Sequence, residues 1–297
     1  MGVAQYVTLE SRGVLKVDGP DARAFLQGLV SNDVDKVSPG RAIYASFLTP
    51  QGRYLHDFFI AEVGGALLFD CEAARRDDLK RRLGMFKLRS KVQIADVNEE
   101  FSVIAVTGDE ARAKFDLGAE AGSAMPWHGG TVFVDPRLAQ AGVRAILPRE
   151  NAARLLEQAG IGPGQLAEYE RQRLSLGLPD GSRDMPVEKA ILLENGLDEL
   201  NGIDWNKGCY LGQELTARTK HRGLVRKRLI PVAIEGPTPN PGTPVMAGDK
   251  EAGEMHSAMD GVGLAMLRLE FLEQAERPVF TAGSARLTPK KPEWAAF

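Results

Sequence analysis

Cysteine is scarce in this chain, with two residues among 297, and the scarcity excludes several kinds of protein. Cys71 and Cys209 lie far apart and do not form the disulfide framework of a small secreted domain. The four histidines fall in no His-x-x-x-His or Cys-x-x-Cys spacing, which argues against a self-contained zinc site. We therefore expect a reducing compartment, the cytoplasm or its organellar equivalent.

Long apolar runs and an excess of one charge sign are also missing. No apolar stretch approaches the roughly 20 residues needed to span a bilayer. Residues 1–17 lack a basic region followed by an apolar run, so we expect neither a signal peptide nor an Arg-rich transit peptide. The net charge is −3, which favours neither a nucleic acid nor an anionic membrane as a general partner.

The composition is that of a globular protein, with 43% hydrophobic and 26% charged residues. Helical and strand-like segments are mixed without strict alternation, which predicts an α+β fold. One predicted helix covers 19–34. After Arg222 the segments become strand-like, beginning with Leu224–Ile234, and are separated by Gly and Pro. We expect residues 1–222 to form an α+β region and residues 223–297 to form a small β-barrel or sandwich.

The most informative motif is Lys207-Gly208-Cys209-Tyr210-Leu211-Gly212-Gln213-Glu214. It places a cysteine between two glycines, beside a lysine and just before a predicted helix. Helix N–H groups and a nearby cation stabilise a thiolate, the form that binds metal or attacks an electrophile. The alternative is a buried structural cysteine packed beside its tyrosine, because unpaired cysteine is among the most buried residue types. For Cys71, which ends an apolar strand, the structural interpretation is preferred.

Two basic clusters flank these features. The first, within residues 75–91, is interpreted as a solvated helix face because Asp77 and Asp78 interrupt it. The second, within residues 218–228, has no acidic neighbours and could bind an anionic cofactor tail or an acidic partner surface. RNA is a weaker alternative because Tyr210 is the single nearby aromatic side chain suited to stacking.

The octapeptide resembles the signature of the YgfZ-type folate-binding family, which includes the mitochondrial assembly factor for [4Fe–4S] clusters. Phe25–Gly28, Ser31–Asp33, Leu48–Arg53 and Arg226–Leu229 are similar to the family as well. The resemblance implies a fold like that of the glycine-cleavage T-protein. That fold is a ring of α+β domains around a central folate cavity, closed by a C-terminal β-barrel. It implies two interleaved α+β subdomains within residues 1–222 and the barrel in residues 223–297.

The resemblance also implies a function in the assembly or repair of iron–sulfur clusters for [4Fe–4S] client enzymes, as a non-enzymatic factor. Cys209 would ligate a cluster shared with an A-type scaffold protein, since one cysteine cannot supply four ligands. Around it the resemblance assigns supporting roles to Lys207, Gly208, Tyr210, Gly212, Gln213, Glu214 and Arg218. Tetrahydrofolate or a derivative would be held by Asn32, Asp33, Asp57 and Glu194.

Two departures argue against an aminomethyltransferase. The T-protein has adjacent aspartates where this chain has His56-Asp57, and a pterin-binding glutamate where this chain has Val134–Ala139. The alternative functions are a tetrahydrofolate-dependent one-carbon transferase, using Asp33 or Asp57, and a tRNA-modification accessory protein. Direct tRNA binding is not expected for the leading interpretation.

Overall fold

The computed structural model describes residues 2–223, 225–273 and 278–297. The chain forms two compact units, and each is assembled from separate stretches of sequence. The first comprises the chain up to Leu48, Leu55–Tyr169 and Leu200–Leu211. The second comprises Thr49–Tyr54, Glu170–Glu199 and the chain from Gly212 onward.

The first unit contains two β-sheets. One has five strands in the order β3-β4-β5-β2-β6, and the other has six in the order β11-β1-β7-β10-β9-β8. The short β11 pairs with β1 in parallel. The strands are β1 Gln5–Thr8, β2 Arg12–Asp18, β3 Ile43–Leu48, β4 Tyr54–Val63, β5 Ala66–Glu72, β6 Gln93–Asp96, β7 Phe101–Thr107, β8 Ala124–Trp127, β9 Gly130–Val134, β10 Val143–Pro148 and β11 Gly162–Pro163.

Seven α-helices are short, and none within the described ranges is long and apolar enough to cross a membrane. They are α1 Ala22–Gln27, α2 Arg76–Phe86, α3 Ala152–Gln158, α4 Leu166–Ser175, α5 Gly181–Asp184, α6 Gln213–His221 and α7 Leu269–Leu272. Turns of 3-10 helix cover Val34–Lys36, Ala73–Arg75, Ala113–Phe115, Ala139–Ala141 and Leu192–Asn195.

The helix predicted over 19–34 is wrong in its second half. The observed α1 ends at Gln27, with Gly28 as its C-cap. Beyond it, Ser31 N–H donates to Ser46 O at 2.9 Å, and Val30 pairs with Phe47 as an isolated bridge. Val30 is therefore paired with β3 and does not lie along a helix face. Residues 28–32 form a turn, which we call the 28–32 turn.

Burial explains why the strands of the five-stranded sheet read as apolar runs. All six residues of β3 are buried, as are the first eight of β4. Such a strand has no solvent face, so its sequence does not alternate. From helix α2, Leu79 and Leu83 are fully buried, while Asp78 of the same helix pairs with Arg81 and Arg82.

A closed six-stranded barrel forms most of the second unit, as predicted for the C-terminus. Its order is β12-β15-β14-β13-β16-β17. The predicted first strand includes Leu224, which lies outside the described residues; the observed strand begins at Lys227. The strands are β12 Lys227–Glu235, β13 Pro244–Ala247, β14 Lys250–Met259, β15 Val262–Arg268, β16 Phe280–Ala282 and β17 Ala285–Pro289.

Residues 177–196 are fixed to this barrel by a buried carboxylate, Asp184. Asp184 Oδ2 accepts from Arg173 Nη1 at 2.8 Å, and its Oδ1 accepts from Ser257 N in β14 at 3.0 Å. Both Arg173 and Asp184 are at most 2% exposed. A buried ion pair with these added hydrogen bonds is costly to break, so the loop holds one conformation.

Candidate functional site

The segment that carries Cys209 is fastened to the 28–32 turn, about 170 residues away in sequence. All of the fastening contacts lie within the first unit. The bonds are Asn32 Nδ2 to Asn201 O at 2.7 Å, Ser31 Oγ to Gly202 O at 2.6 Å, Asp204 N to Ser31 O at 3.0 Å, Lys207 Nζ to Val30 O and Asn32 O at 2.7 Å each, and Leu211 N to Gly28 O at 3.1 Å.

Lys207 is a central tie in this arrangement. Its ammonium donates to the carbonyls of Val30 and Asn32 and lies 5.3 Å from the centre of the Tyr210 ring. Burial lowers the pKa of Lys207 to about 8, although nearby carboxylates including Asp33 act in the opposite direction. The lysine therefore donates its hydrogen bonds to the 28–32 turn. Its position in the sequence beside Cys209 does not indicate this role.

Asp204 shapes the approach to the motif. Its Oδ1 accepts from the backbone N–H groups of Asn206 at 2.7 Å and Lys207 at 3.1 Å, and its Oδ2 pairs with Lys36. Burial alone would raise the pKa of Asp204, but the hydrogen bonds from Lys36 and the two amides outweigh it and lower that pKa. The carboxylate thus holds a turn immediately before Gly208, a role that the sequence analysis did not assign.

Cys209 itself is an exposed, unpaired thiol, while Cys71 is buried. The interpretation of Cys209 as a packed core cysteine is therefore wrong, because only its neighbour Tyr210 is buried. A Cβ added at the preceding Gly208 would meet no atom within 4 Å, so the space around that position is open. The thiol is presented to solvent between two anchored residues, Lys207 and Leu211.

The second half of the motif begins helix α6 of the second unit. Gly212 is its N-cap at φ 83°, a left-handed conformation that glycine adopts without strain. Gln213 is half-buried at the first helical position. Glu214 and Arg218 pair with each other at 2.6 Å on the exposed surface, so Arg218 already has an acidic partner within the chain.

The residues assigned to folate divide into two groups. Asn32 and Asp57 are buried and engaged: the Asn32 amide bonds to Tyr44 O, Asn201 O and Asp33 N, and Asp57 accepts from Tyr44 Oη at 2.9 Å. Both side chains are therefore engaged in contacts within the chain.

Asp33 and Glu194 keep an available carboxylate oxygen. Asp33 uses Oδ1 for Gln27 and Asp35, while its Oδ2 accepts no hydrogen bond from the described residues. In the second unit, Glu194 lies 3.6 Å from Lys227 Nζ, and burial raises its pKa. A pterin ring presents N–H donors, so each of these acceptors suits a folate in its chemistry.

The first unit contains a buried network of charged side chains that was not predicted from the sequence. Asp70 accepts from Arg12 Nε at 2.6 Å and from Arg144 Nη2 at 2.5 Å. Asp135 is bonded by Arg137 through Nε at 3.0 Å and Nη2 at 2.8 Å. All five side chains are at most 7% exposed. The available signal was an arginine inside an apolar strand, such as Arg144 between Val143 and Ala145.

This network also bears on Val134–Ala139, where the T-protein has its pterin-binding glutamate. The stretch does contain a carboxylate, Asp135, but Arg137 occupies both of its oxygens. Burial would raise the pKa of Asp135, and the charge of Arg137 overcomes that and lowers it. The ion pair is internal to the stretch, so Asp135 does not replace a ligand-binding glutamate.

No group of three or more His, Cys, Asp or Glu side chains suited to a metal ion occurs among residues 2–223, 225–273 and 278–297. Cys209 is thus a single candidate ligand on a well-anchored segment. Trp205 lies on the same segment as Cys209 and is 37% exposed.

Comparison with known proteins matches both parts of the chain. The model of the CAF17 C-terminal beta-barrel domain matches residues 226–297, and that of the GCVT N-terminal domain matches residues 5–127. The iron–sulfur cluster assembly factor IBA57, mitochondrial, of Homo sapiens is 35% identical over 96% of this chain and 84% of its own length. The Mus musculus protein of the same name is 35% identical over 89% of this chain and 78% of its own.

Among solved structures, glycine cleavage system aminomethyltransferase T from Bartonella henselae is similar in fold. Its TM-score is 0.78 at 15% identity, over 98% of this chain and 85% of that protein. At that identity the likeness concerns the fold alone. It confirms the predicted T-protein-like α+β architecture with a C-terminal barrel.

Proposed function

This chain belongs to the family of the IBA57-type iron–sulfur cluster assembly factors, and on that premise we propose that it supports the maturation of [4Fe–4S] proteins. In this proposal the thiolate of Cys209 ligates iron in a cluster shared with an A-type scaffold protein. The observation that carries the proposal is the exposed thiol on a segment fastened on both sides, by Lys207 and Leu211, to the 28–32 turn.

The anchoring gives the thiol a defined position before any partner arrives. A ligand on a mobile loop loses conformational freedom when it binds, whereas a pre-organised ligand has less to lose. Gly208 has no side chain to obstruct an approaching surface. Because a cluster needs several thiolates or equivalent ligands, the remaining ones belong to the partner.

The direct test is anaerobic mixing of the chain with an A-type scaffold that carries iron and sulfide. We expect a cluster chromophore that co-elutes with a complex of both proteins. Cys209→Ser should abolish this shared chromophore. Cys71→Ala is the matched control, because Cys71 is buried and burial raises the pKa of its thiol to about 12. A complex of Cys209→Ser with an undiminished chromophore would overturn the proposal.

The same proposal predicts how Cys209 affects the activity of the client enzymes in cells. Cells that carry only Cys209→Ser should lose [4Fe–4S] enzyme activity, while cells with Cys71→Ala should keep it.

The compartment we propose is the cytoplasm, as expected from two unpaired cysteines; the human and mouse relatives are named as mitochondrial. Fractionation of the native cells tests that location.

Folate binding is the second part of the proposal. The supporting observations are the match to the GCVT N-terminal domain and the open carboxylate oxygen of Asp33. We expect tetrahydrofolate to bind the wild-type chain and to bind Asp33→Asn or Glu194→Gln about tenfold more weakly, the cost of one lost charged hydrogen bond. Equilibrium dialysis measures this. Asp35→Asn, at an exposed neighbouring position, is the control.

A further inference from the structure

A surface away from Cys209 lies where helix α2 ends. We call the last three helical residues and the segment that follows them, residues 84–91, the α2 exit loop. Large apolar side chains there face solvent. Met85 is 58% exposed, Phe86 37% and Leu88 91%. Leu88, Arg89 and Ser90 also line an open depression together with Asp21. Single exposed apolar residues are common on proteins, but three within four positions mark a candidate interaction site.

The loop is held in place, so these side chains are not exposed merely because the chain is loose. Ser90 N donates to Lys87 O at 2.8 Å, and Lys91 N donates to Asp21 Oδ2 at 2.7 Å. A Cβ on Gly19 would lie 2.3 Å from Lys91 O, which shows how closely the backbones pack. The ends of the loop continue into buried residues on both sides, Leu83 and Val92.

Leu88 adopts a conformation that its side chain disfavours. Its φ of 42° lies in the left-handed region, which costs a non-glycine residue roughly 1 kcal/mol. Burial does not offset that cost, because Leu88 is the most exposed of the large apolar residues in the described chain. Phe86, in contrast, packs edge-on against Phe47 with ring centres 5.9 Å apart. The loop therefore presents Phe86, an aromatic side chain that packs against the protein, beside Leu88, which is almost entirely exposed.

The charges of this region divide sharply. On the helix, the arginines are neutralised within the chain: Arg81 and Arg82 pair with Asp78, and Arg76 pairs with Asp96. On the α2 exit loop the cations lack such partners. Within the part of the chain that the structure describes, Lys87, Arg89 and Lys91 form no ion pair.

From the sequence, the whole basic cluster within residues 75–91 is predicted to be a solvated helix face. The structure supports that interpretation for the helix, where acidic residues are interleaved, and not for the loop. Exposed Met85 and Phe86 beside the unpaired Arg89 are residue types that are enriched in protein interfaces, in which Arg and aromatic anchors supply much of the binding energy.

We propose that the α2 exit loop is a docking site for an acidic amphipathic segment of a partner protein. The carboxylates of that segment would pair with Lys87, Arg89 and Lys91, and its apolar side chains would cover Leu88, Met85 and Phe86. A membrane surface fits less well, because recruitment to anionic lipid typically uses about four to eight clustered cations, and this chain carries a net charge of −3.

The probe is a fluorescently labelled acidic amphipathic peptide, built from Leu and Phe on one helical face and Asp and Glu elsewhere. We expect it to bind the full-length chain with an affinity that falls as salt is added. Leu88→Ser should weaken binding about tenfold, and so should the combined variant Lys87→Gln, Arg89→Gln, Lys91→Gln. A peptide with serine in place of Leu and Phe should bind no better than the variants do.

Matched controls come from exposed positions elsewhere. Leu166, 54% exposed, provides Leu166→Ser, and the barrel provides the combined variant Lys250→Gln, Arg286→Gln, Lys290→Gln. Both should bind the probe like the wild type. The proposal is overturned if the loop variants bind the probe as the controls do. It is equally overturned if phosphatidylglycerol vesicles or single-stranded RNA bind through the loop and the peptide does not.

Discussion

Lys207 shows how far a residue's role can differ from its place in the sequence. Beside Cys209 it suggests a cation that stabilises a thiolate, yet its ammonium donates to the carbonyls of Val30 and Asn32. Those acceptors are more than 170 residues away, so no local pattern could name them. At this scale the motif is understood as two anchors, Lys207 and Leu211, around one exposed thiol.

His56 predicts a dependence of the free energy of unfolding on pH. It is 3% exposed and lies 3.0 Å from Asp78. Burial, followed by the charge of Arg75, lowers its pKa to about 4 from 6.5, although Asp78 acts in the opposite direction. Below pH 6.5 the unfolded chain therefore binds a proton at His56, whereas the folded chain binds it only when the pH falls to about 4.

This difference predicts that stability falls on acidification between those two values. The pKa of Asp78, lowered to about 2, places its own contribution below that window. We expect the free energy of unfolding to drop by roughly 2 kcal/mol from neutral pH to about pH 5 through His56 alone. His56→Gln should remove that slope in urea titrations, with His221→Gln controlling for the loss of one histidine. An unchanged slope in His56→Gln would contradict the assignment.

At the scale of elements, the 28–32 turn is the piece that the sequence pattern misjudged. Helical spacing of apolar residues continues past Gly28, because Leu29 and Val30 do become buried. Val30, however, pairs with Phe47 of β3, and carbonyl groups of the turn accept hydrogen bonds from Lys207 and Leu211. Periodicity reports which side chains are buried and does not report against which element.

Gly52 offers a test of the tight turn that connects β3 to β4. Its N–H donates to Thr49 O at 2.8 Å, and its φ is 70°. A Cβ there would lie 2.8 Å from Gly212 O, the carbonyl of the helix α6 cap. Alanine at this position therefore meets both backbone strain and a steric clash.

We expect Gly52→Ala to lower the free energy of unfolding by about 2–4 kcal/mol, measured by urea denaturation. Gly64→Ala is the matched control. Its φ is 59°, and its added Cβ would meet nothing within 4 Å, so it should cost only about 1 kcal/mol of backbone strain. Equal losses in the two variants would show that the contact with Gly212 is unimportant.

At the scale of the whole molecule, the buried charges tie the two sheets of the first unit together. Asp70 lies in β5 and Arg12 in β2 of the five-stranded sheet, while Arg144 lies in β10 of the six-stranded sheet. The Arg144 guanidinium also stacks 4.1 Å from the centre of the Phe59 ring. Removing one member of such a network leaves an uncompensated charge in the interior.

Asp70→Asn should therefore be among the most destabilising single changes in the chain. We expect a loss of about 3–5 kcal/mol, or failure to fold, because two arginines lose their shared carboxylate. Asp77→Asn, an exposed change in the first turn of α2, is the control and should cost less than about 1 kcal/mol. Urea denaturation of both variants decides the matter, and equal midpoints would refute the role given to Asp70.

Local signals were enough to predict the broad architecture. Strand-like segments separated by Gly and Pro predicted the barrel, and the mixture of elements before it predicted an α+β region, because both depend on side-chain period and turn residues. The motif around Cys209 likewise singled out the thiol that the structure exposes. Burial period, turn chemistry and residue type are properties of short stretches, and the sequence by itself contains them.

The tertiary structure alone decided what each polar side chain contacts. It gave Lys207 the carbonyls of the 28–32 turn, separated Asp33 and Glu194 from the engaged Asn32 and Asp57, and left the cations of the α2 exit loop unpaired. It also assembled each compact unit from separate stretches of chain. Hydrogen bonds and ion pairs form between groups that are close in space, and most of these pairs are distant in sequence.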